Sequence, residues 1–125
     1  MFRMLAAALL VSLSVAVSAQ DPLQTDPDKY RLVLQNDRVR VLEYRDKPGD
    51  KTNRHTHKDF VLHALSSFER RLVFGDGRIM ERSFSVGETL WMDSQSHIGE
   101  NIGTTETHVL LVELTEPRPA VAPNK

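Results

Sequence analysis

The run Gly49-Asp50-Lys51-Thr52-Asn53-Arg54-His55-Thr56-His57 decides how this chain is read. On an extended strand, side chains at i and i+2 leave the same face. His55 and His57 therefore project together, as two imidazoles must if they are to hold one metal ion. Neutral imidazole is a common nitrogen ligand for zinc, iron, manganese and copper. The same letters also fit a polar, solvated pair in a loop, since Thr52, Asn53, Arg54 and Lys58 surround them. A third histidine, His97, follows a glycine-led strand and precedes Asn101 by four residues.

Outward from this run the chain alternates short strands with turns. Tyr30 to Gln35 is β-prone and is followed by Asn36-Asp37. In Arg38 to Arg45, Val39 and Val41 alternate with Arg38 and Arg40, the period of a half-buried strand. Asp46-Lys47-Pro48-Gly49-Asp50 is a turn. Strands follow at Asp59 to Leu65 and Phe68 to Phe74. Gly75-Asp76-Gly77 signals a hairpin that returns through Arg78 to Phe84. Val86-Gly87-Glu88 turns into Thr89 to Met92, and His97 to Asn101 precedes a last strand, Glu106 to Leu114. No stretch of helical length carries apolar residues at i, i+3, i+4 and i+7. Some eight strands with almost no helix predict an all-β sandwich or barrel.

With these elements in place, the histidine pattern resembles the cupin superfamily. The first cupin motif is a glycine, five residues, H-x-H, three or four residues, a glutamate, six residues and a glycine; Gly49 through His57 matches its first half. The second opens on a glycine and closes on histidine, three residues and asparagine; Gly87, His97 and Asn101 match its ends. The likeness runs from about Tyr30 to Leu114 and implies a single-domain jelly-roll β-barrel of cupin type. By this resemblance His55, His57 and His97 are metal ligands, and the cofactor is one divalent ion: iron, manganese or zinc.

Two departures stand out. The motif glutamate falls at Val61 or Leu62, both apolar, and the second motif is one residue short, with Asp93 and Gln95 near its proline and second glycine. Three imidazoles with an open position still suit a divalent metal. On a regular strand Asp59 and His63 share the parity of His55 and His57, so each is a weak candidate for the absent carboxylate's place. Asp59 reads better as solvation of a strand entrance, and His63 as a hydrogen-bonded histidine near the core. Asn101 reads as support for its strand, and Glu100, off parity, points away from the pocket. Arg70-Arg71 puts one arginine on each face: either the inward one meets a substrate carboxylate or a buried acid, or, the better reading, the sheet has a solvated or partner-covered side there. Phe60, Phe74, Phe84, Leu90 and Trp91 are expected in the core.

Both ends differ from the middle. Arg3, the apolar run Leu5 to Val17 and the small residues Val17-Ser18-Ala19 predict a signal peptide over residues 1–19, cut before Gln20. The run is short of the roughly 20 apolar residues that span a bilayer. Residues 20–28 are a polar leader ending in a turn, 29–115 the barrel domain, and the proline-rich 116–125 an unstructured tail. The expectation is therefore a periplasmic or secreted protein, free of the membrane once the signal is removed. With no cysteine, neither a disulfide nor a lipid-modified cysteine is available. The formal charge is −1, and −2 without Arg3, so no basic field draws nucleic acid. The partner expected is a small molecule, with a homodimer plausible through open sheet edges. The resemblance implies a small-molecule metalloenzyme of the oxygenase, isomerase or hydrolase class. The alternative is a non-catalytic module that binds a metal or a small ligand on the same fold.

Overall fold

A computed structural model describes residues 20–116. The expected signal peptide and all of the expected tail except Glu116 lie outside them. The described chain forms one helical turn, α1 (Pro22–Thr25), and nine strands: β1 (Tyr30–Gln35), β2 (Val39–Asp46), β3 (His55–His57), β4 (Phe60–Ala64), β5 (Phe68–Phe74), β6 (Ile79–Phe84), β7 (Thr89–Met92), β8 (Gln95–Asn101) and β9 (Thr107–Leu114). Eight match the strands expected from alternation and turn residues. The ninth is the H-x-H segment itself, a strand of three residues.

The strands make two antiparallel sheets, one in the order β1-β2-β9-β4-β7 and the other β3-β8-β5-β6. Their inner faces enclose the core: Leu42, Tyr44, Phe60, Ala64, Phe68, Phe84, Val109 and Leu111. Strand β9 shows how strictly the two-residue period is used. Thr107, Val109, Leu111 and Glu113 are buried and the residues between them are not. The alternation that points Val109 and Leu111 into the core points a glutamate there too. Gly49 (φ 86°) and Gly77 (φ 89°) close turns at backbone angles that side-chain-bearing residues rarely adopt.

The polar stretch 20–28 packs on the barrel. Asp21 caps α1 by accepting the Leu23 N–H through Oδ1 at 2.9 Å, and Pro22 fills the first turn, where no N–H is needed. The Thr56 N–H donates to the Gln20 carbonyl at 2.8 Å, which covers the free edge of β3. The helical turn escapes a periodicity search because four residues are too few to show a period.

Strand parity breaks where the chain changes sheets. β3 belongs to the four-stranded sheet and β4 to the five-stranded one, with Lys58-Asp59 between them. The crossing resets the alternation, so Phe60 and Leu62 are buried and His63 is only half-buried. Neither weak candidate for the acidic position is therefore with the histidines. Asp59 accepts the Ser94 N–H through Oδ1 at 2.7 Å, and His63 Nδ1 lies 2.7 Å from Thr89 Oγ1 on the outer face. Trp91 also departs from expectation. It pairs with outward Val61, is 49% exposed, and donates its indole N–H to Asp93 at 2.9 Å.

Candidate metal centre

β3 and β8 pair so that His55 stands directly opposite His97. His57 follows two residues along β3 on the same face. All three side chains are buried, and one ring nitrogen from each lies within 4.8 Å of the others. Ring centroids are 4.8 Å apart for His55 and His57, 4.7 Å for His55 and His97, and 5.3 Å for His57 and His97. Nitrogens bound to one ion at about 2.1 Å lie at most about 4.2 Å apart, so the set needs only a small closing movement to share a metal.

Hydrogen bonding fixes which nitrogen two of the rings offer. His55 Nδ1 lies 2.9 Å from the Asn53 carbonyl oxygen. A carbonyl only accepts, so Nδ1 carries the proton and Nε2 the lone pair. His97 Nδ1 lies 2.7 Å from Gln95 Oε1, and Gln95 Nε2 donates to the Asp93 carbonyl at 3.0 Å. That second bond orients the amide, so His97 also has its proton on Nδ1 and presents Nε2. The Nδ1 partners hold these imidazoles in the metal-binding tautomer and orientation. Tyr30 Oη lies 3.2 Å from His55 Nε2 and donates to it, a bond that gives way when the lone pair takes an ion.

His57 differs. It is wholly buried, and neither of its ring nitrogens has a hydrogen bond among the described residues. Nδ1 comes within 3.5 Å of Glu113 Oε2, long for a hydrogen bond. A buried polar atom without a partner costs about 1–3 kcal/mol. Such an orphan beside two oriented imidazoles has the character of a metal ligand, and the three residues together suit a divalent ion.

The charge state suits it as well. Burial, reinforced by the neighbouring His57, lowers the His55 pKa to about 4. Burial and the other two rings hold His97 well below the ordinary histidine value. Both are neutral at pH 7, the state in which imidazole binds a metal.

Beside the histidines lies a cavity of about 40 Å³. His57 and His97 line it with Tyr30, Phe60, Leu62 and Arg70 among others, and none of the lining residues is a carboxylate. Of the two positions for the motif glutamate, Leu62 faces this cavity and Val61 faces out.

Arg70 is the inward arginine, and it meets a buried acid. Its Nη1 donates to Asp46 Oδ2 at 2.7 Å and its Nη2 to the Tyr44 hydroxyl at 2.9 Å, with the guanidinium 4.7 Å from the Tyr44 ring centroid. Burial pushes the Asp46 carboxyl up, but Arg70 and the hydrogen bonds around it leave it below the usual carboxylate range. Asn101 supports this network as expected, donating to Asp46 Oδ1 at 3.0 Å and to the Thr105 carbonyl at 2.8 Å and accepting the Gly103 N–H at 3.0 Å. Glu100 turns outward to Arg71 at 3.2 Å, and His108 outward to Glu43 at 3.3 Å.

Two acids near the histidines escaped the sequence reading. Asp26 Oδ2 lies 3.8 Å from His55 Nδ1, and Asp26 Oδ1 accepts the Asn53 N–H at 3.0 Å. Its signal was lost in a polar leader. Glu113 was legible in principle, because it shares the parity of Val109 and Leu111.

No family model matches the chain, and no curated protein does. Solved structures do. A cupin domain from Bordetella pertussis aligns over 70% of this chain and 92% of its own, at 24% identity and TM-score 0.64. An RmlC-like cupin family protein with a double-stranded β-helix fold, from Methanocaldococcus jannaschii, aligns over 68% and 77% at 13% identity and TM-score 0.55. The polyketide cyclase RemF from Streptomyces resistomycificus aligns over 72% and 66% at 22% identity and TM-score 0.53. Strand content, two-sheet topology and these likenesses together give the chain the double-stranded β-helix fold of the cupins.

Proposed function

We propose that the protein binds one divalent metal ion through Nε2 of His55, His57 and His97, and that the ion serves small-molecule chemistry of the oxygenase, isomerase or hydrolase class. The observation that carries the reading is the buried His57 ring, unpartnered at both nitrogens beside two imidazoles already held in the metal-binding tautomer. Iron, manganese and zinc all accept such a set. The ion would supply Lewis acidity and orient a bound oxygen atom.

The surrounding residues do the rest. Phe60, Leu62, Phe84 and Leu111 exclude bulk water from the cavity. The Tyr30 hydroxyl, which burial keeps protonated, is a donor within reach of the centre. A space of about 40 Å³ takes one or two water-sized groups, so a larger substrate presents only its reacting end there. The fold neighbour named as a polyketide cyclase supports an enzyme reading.

One observation favours a non-catalytic binding module instead. Arg70 is tied to Asp46 and Tyr44 through both terminal nitrogens, and no carboxylate lines the cavity to act as general acid or base. Elemental analysis of purified protein comes first. Near-stoichiometric metal, lost in the His55→Ala, His97→Ala double variant, is expected, and equal trace metal in both would end the reading. Oxygen consumption with thiols, diketones and carboxylic acids then separates enzyme from binder.

We infer from the charged, apolar and small-residue order of residues 1–19 that the chain is exported and cut before Gln20. N-terminal sequencing of the extracytoplasmic fraction should begin at Gln20, and an intact Met1 there would refute it.

A further inference from the structure

The segment 20–28 sends the charge of Asp21 to β2, next to the strand that carries Glu113. Asp21 uses Oδ1 to cap α1 and Oδ2 to accept Arg40 Nη1 at 2.7 Å. Arg40, on β2, turns Nε and Nη2 to Glu113 Oε1 at 3.1 and 2.9 Å. The other oxygen, Oε2, faces His57 Nδ1 at 3.5 Å and accepts the Lys58 N–H at 3.3 Å. The strand register makes this meeting obligatory. Glu113 on β9 pairs with Arg40 on one side and with Phe60 of β4 on the other, just beyond the end of β3.

Glu113 is 2% exposed and is not among the grouped ligand atoms. It stands behind His57. Its Oε1 takes both Arg40 nitrogens, which leaves Oε2 turned toward His57. At 3.5 Å the carboxylate is too far to hold the Nδ1 proton now, but the small closing movement that lets the rings share an ion brings Nδ1 to it and leaves Nε2 for the metal, the tautomer His55 and His97 already show. Carboxylate partners of metal-bound imidazoles also raise ligand basicity, and losing one typically costs 10–100-fold in metal affinity.

We propose that Asp21, Arg40 and Glu113 are positioning residues of the metal centre, and that Glu113, acting through His57, supplies the negative charge that the apolar Leu62 does not. The inference rests on the metal reading above. Arg40 shares its charge between two carboxylates, so the relay carries one net negative charge toward a divalent ion. Asp21 makes the N-terminal segment part of the site, not a covering for it.

Cobalt(II) is the probe, added to metal-free protein spanning residues 20–125. Its affinity is read by competition with a chelator and its ligand field by visible absorption. Glu113→Gln should weaken cobalt binding 10–100-fold and shift the absorption bands. Because that variant takes the charged partner from the half-buried Arg40 and can cost stability, Asp21→Asn is the second arm. Asparagine caps a helix as well as aspartate does, so α1 stays while the charge goes. Asp21→Asn should weaken binding several-fold with an unchanged thermal midpoint of the metal-free protein. In the Glu113→Gln background the same change should add nothing, as expected for a residue that acts through another. Wild-type protein that binds no cobalt overturns the metal reading and the relay with it. Cobalt binding in wild type with the same affinity and spectrum in Asp21→Asn overturns the relay alone. Lowered melting with unchanged affinity marks a structural brace and also overturns it.

Discussion

His55 and His97 face each other across the β3–β8 ladder with ring centroids 4.7 Å apart, and burial holds both below the ordinary histidine pKa. A ring whose pKa falls from 6.5 unfolded to about 4 folded binds its proton more weakly in the folded state. Stability is therefore fully present above pH 6.5, falls as pH drops from 6.5 toward 4, and levels off below. For His55 alone the loss is about 3 kcal/mol. His97 acts in the same direction. Asp46 and Glu113, whose carboxyls are held low, lose their contributions only at more acid pH. The urea midpoint of metal-free protein should fall steadily between pH 7 and pH 5, where carboxylates are still ionised. A flat profile over that interval would contradict the burial of neutral imidazoles.

Metal should reverse the penalty of the unpartnered ring. An ion that binds the folded state alone stabilises it by about 2.7 kcal/mol at a free concentration 100 times its dissociation constant. Zinc or manganese titrated into the metal-free protein should raise the thermal midpoint in a concentration-dependent way at pH 7.5, and far less at pH 5, where protons compete for the rings. His57→Ala should abolish the metal-dependent rise. It also removes the orphaned nitrogens, so its metal-free cost should be smaller than that of an ordinary buried aromatic truncation, about 3–5 kcal/mol. Identical midpoints with and without metal in wild type would contradict the centre.

Most of the fold was legible because it is written in a local code. Alternation and glycine turns mark strands such as Phe68–Phe74 with their true ends. Two of the three site histidines followed from the same code, since an H-x-H strand can only aim both rings one way. What escaped depends on facts that are not local. Parity carries along a strand but not across the change of sheet at Lys58-Asp59, so the shared parity of Asp59 and His63 with His55 and His57 does not bring them to the site. Trp91 is hydrophobic in type but lies on an outer face, and type alone does not report the face. Glu113 escaped because an acid in an apolar run reads as solvated until Arg40 and His57 are brought beside it by strands distant in sequence.

Gly99 makes room for the Arg70 network. It lies between His97 and Asn101 on β8, opposite Leu72, and a β-carbon there would come within 2.9 Å of Arg70 Nε. The guanidinium cannot swing away cheaply, because Asp46 and Tyr44 hold its other nitrogens. Gly99→Ala should cost about 1–3 kcal/mol, the range for overpacking a well-filled interior. Gly103→Ala offers a comparison away from the guanidinium, since a β-carbon there would lie 3.1 Å from Glu69 Cβ and 3.2 Å from the Glu69 backbone nitrogen. Arg70→Met, which leaves Asp46 buried without its cation, should cost more, about 3–5 kcal/mol. Combining it with Gly99→Ala should cost less than the two losses added, because the glycine matters only while the guanidinium is there. Additive losses by urea denaturation would show that Gly99 serves some other contact.

Leu62 stands where the motif glutamate can face the cavity, and Val61, the other candidate, faces out. Leu62→Glu therefore puts a carboxylate beside three imidazoles in an apolar space. Without metal this is expensive: a buried unpaired carboxyl protonates or destabilises the fold. The metal-free variant should melt below wild type. With metal the sign changes, because the carboxylate becomes a fourth protein ligand to a divalent ion. The metal-induced rise in thermal midpoint should then be larger in Leu62→Glu than in wild type, and chelator competition should show tighter binding. Val61→Glu is the control, since its side chain reaches solvent and should change neither quantity. If Leu62→Glu lowers the midpoint equally with and without metal, the inward position lies too far from the centre to take part. The three histidines would then have to hold the ion without a carboxylate from β4.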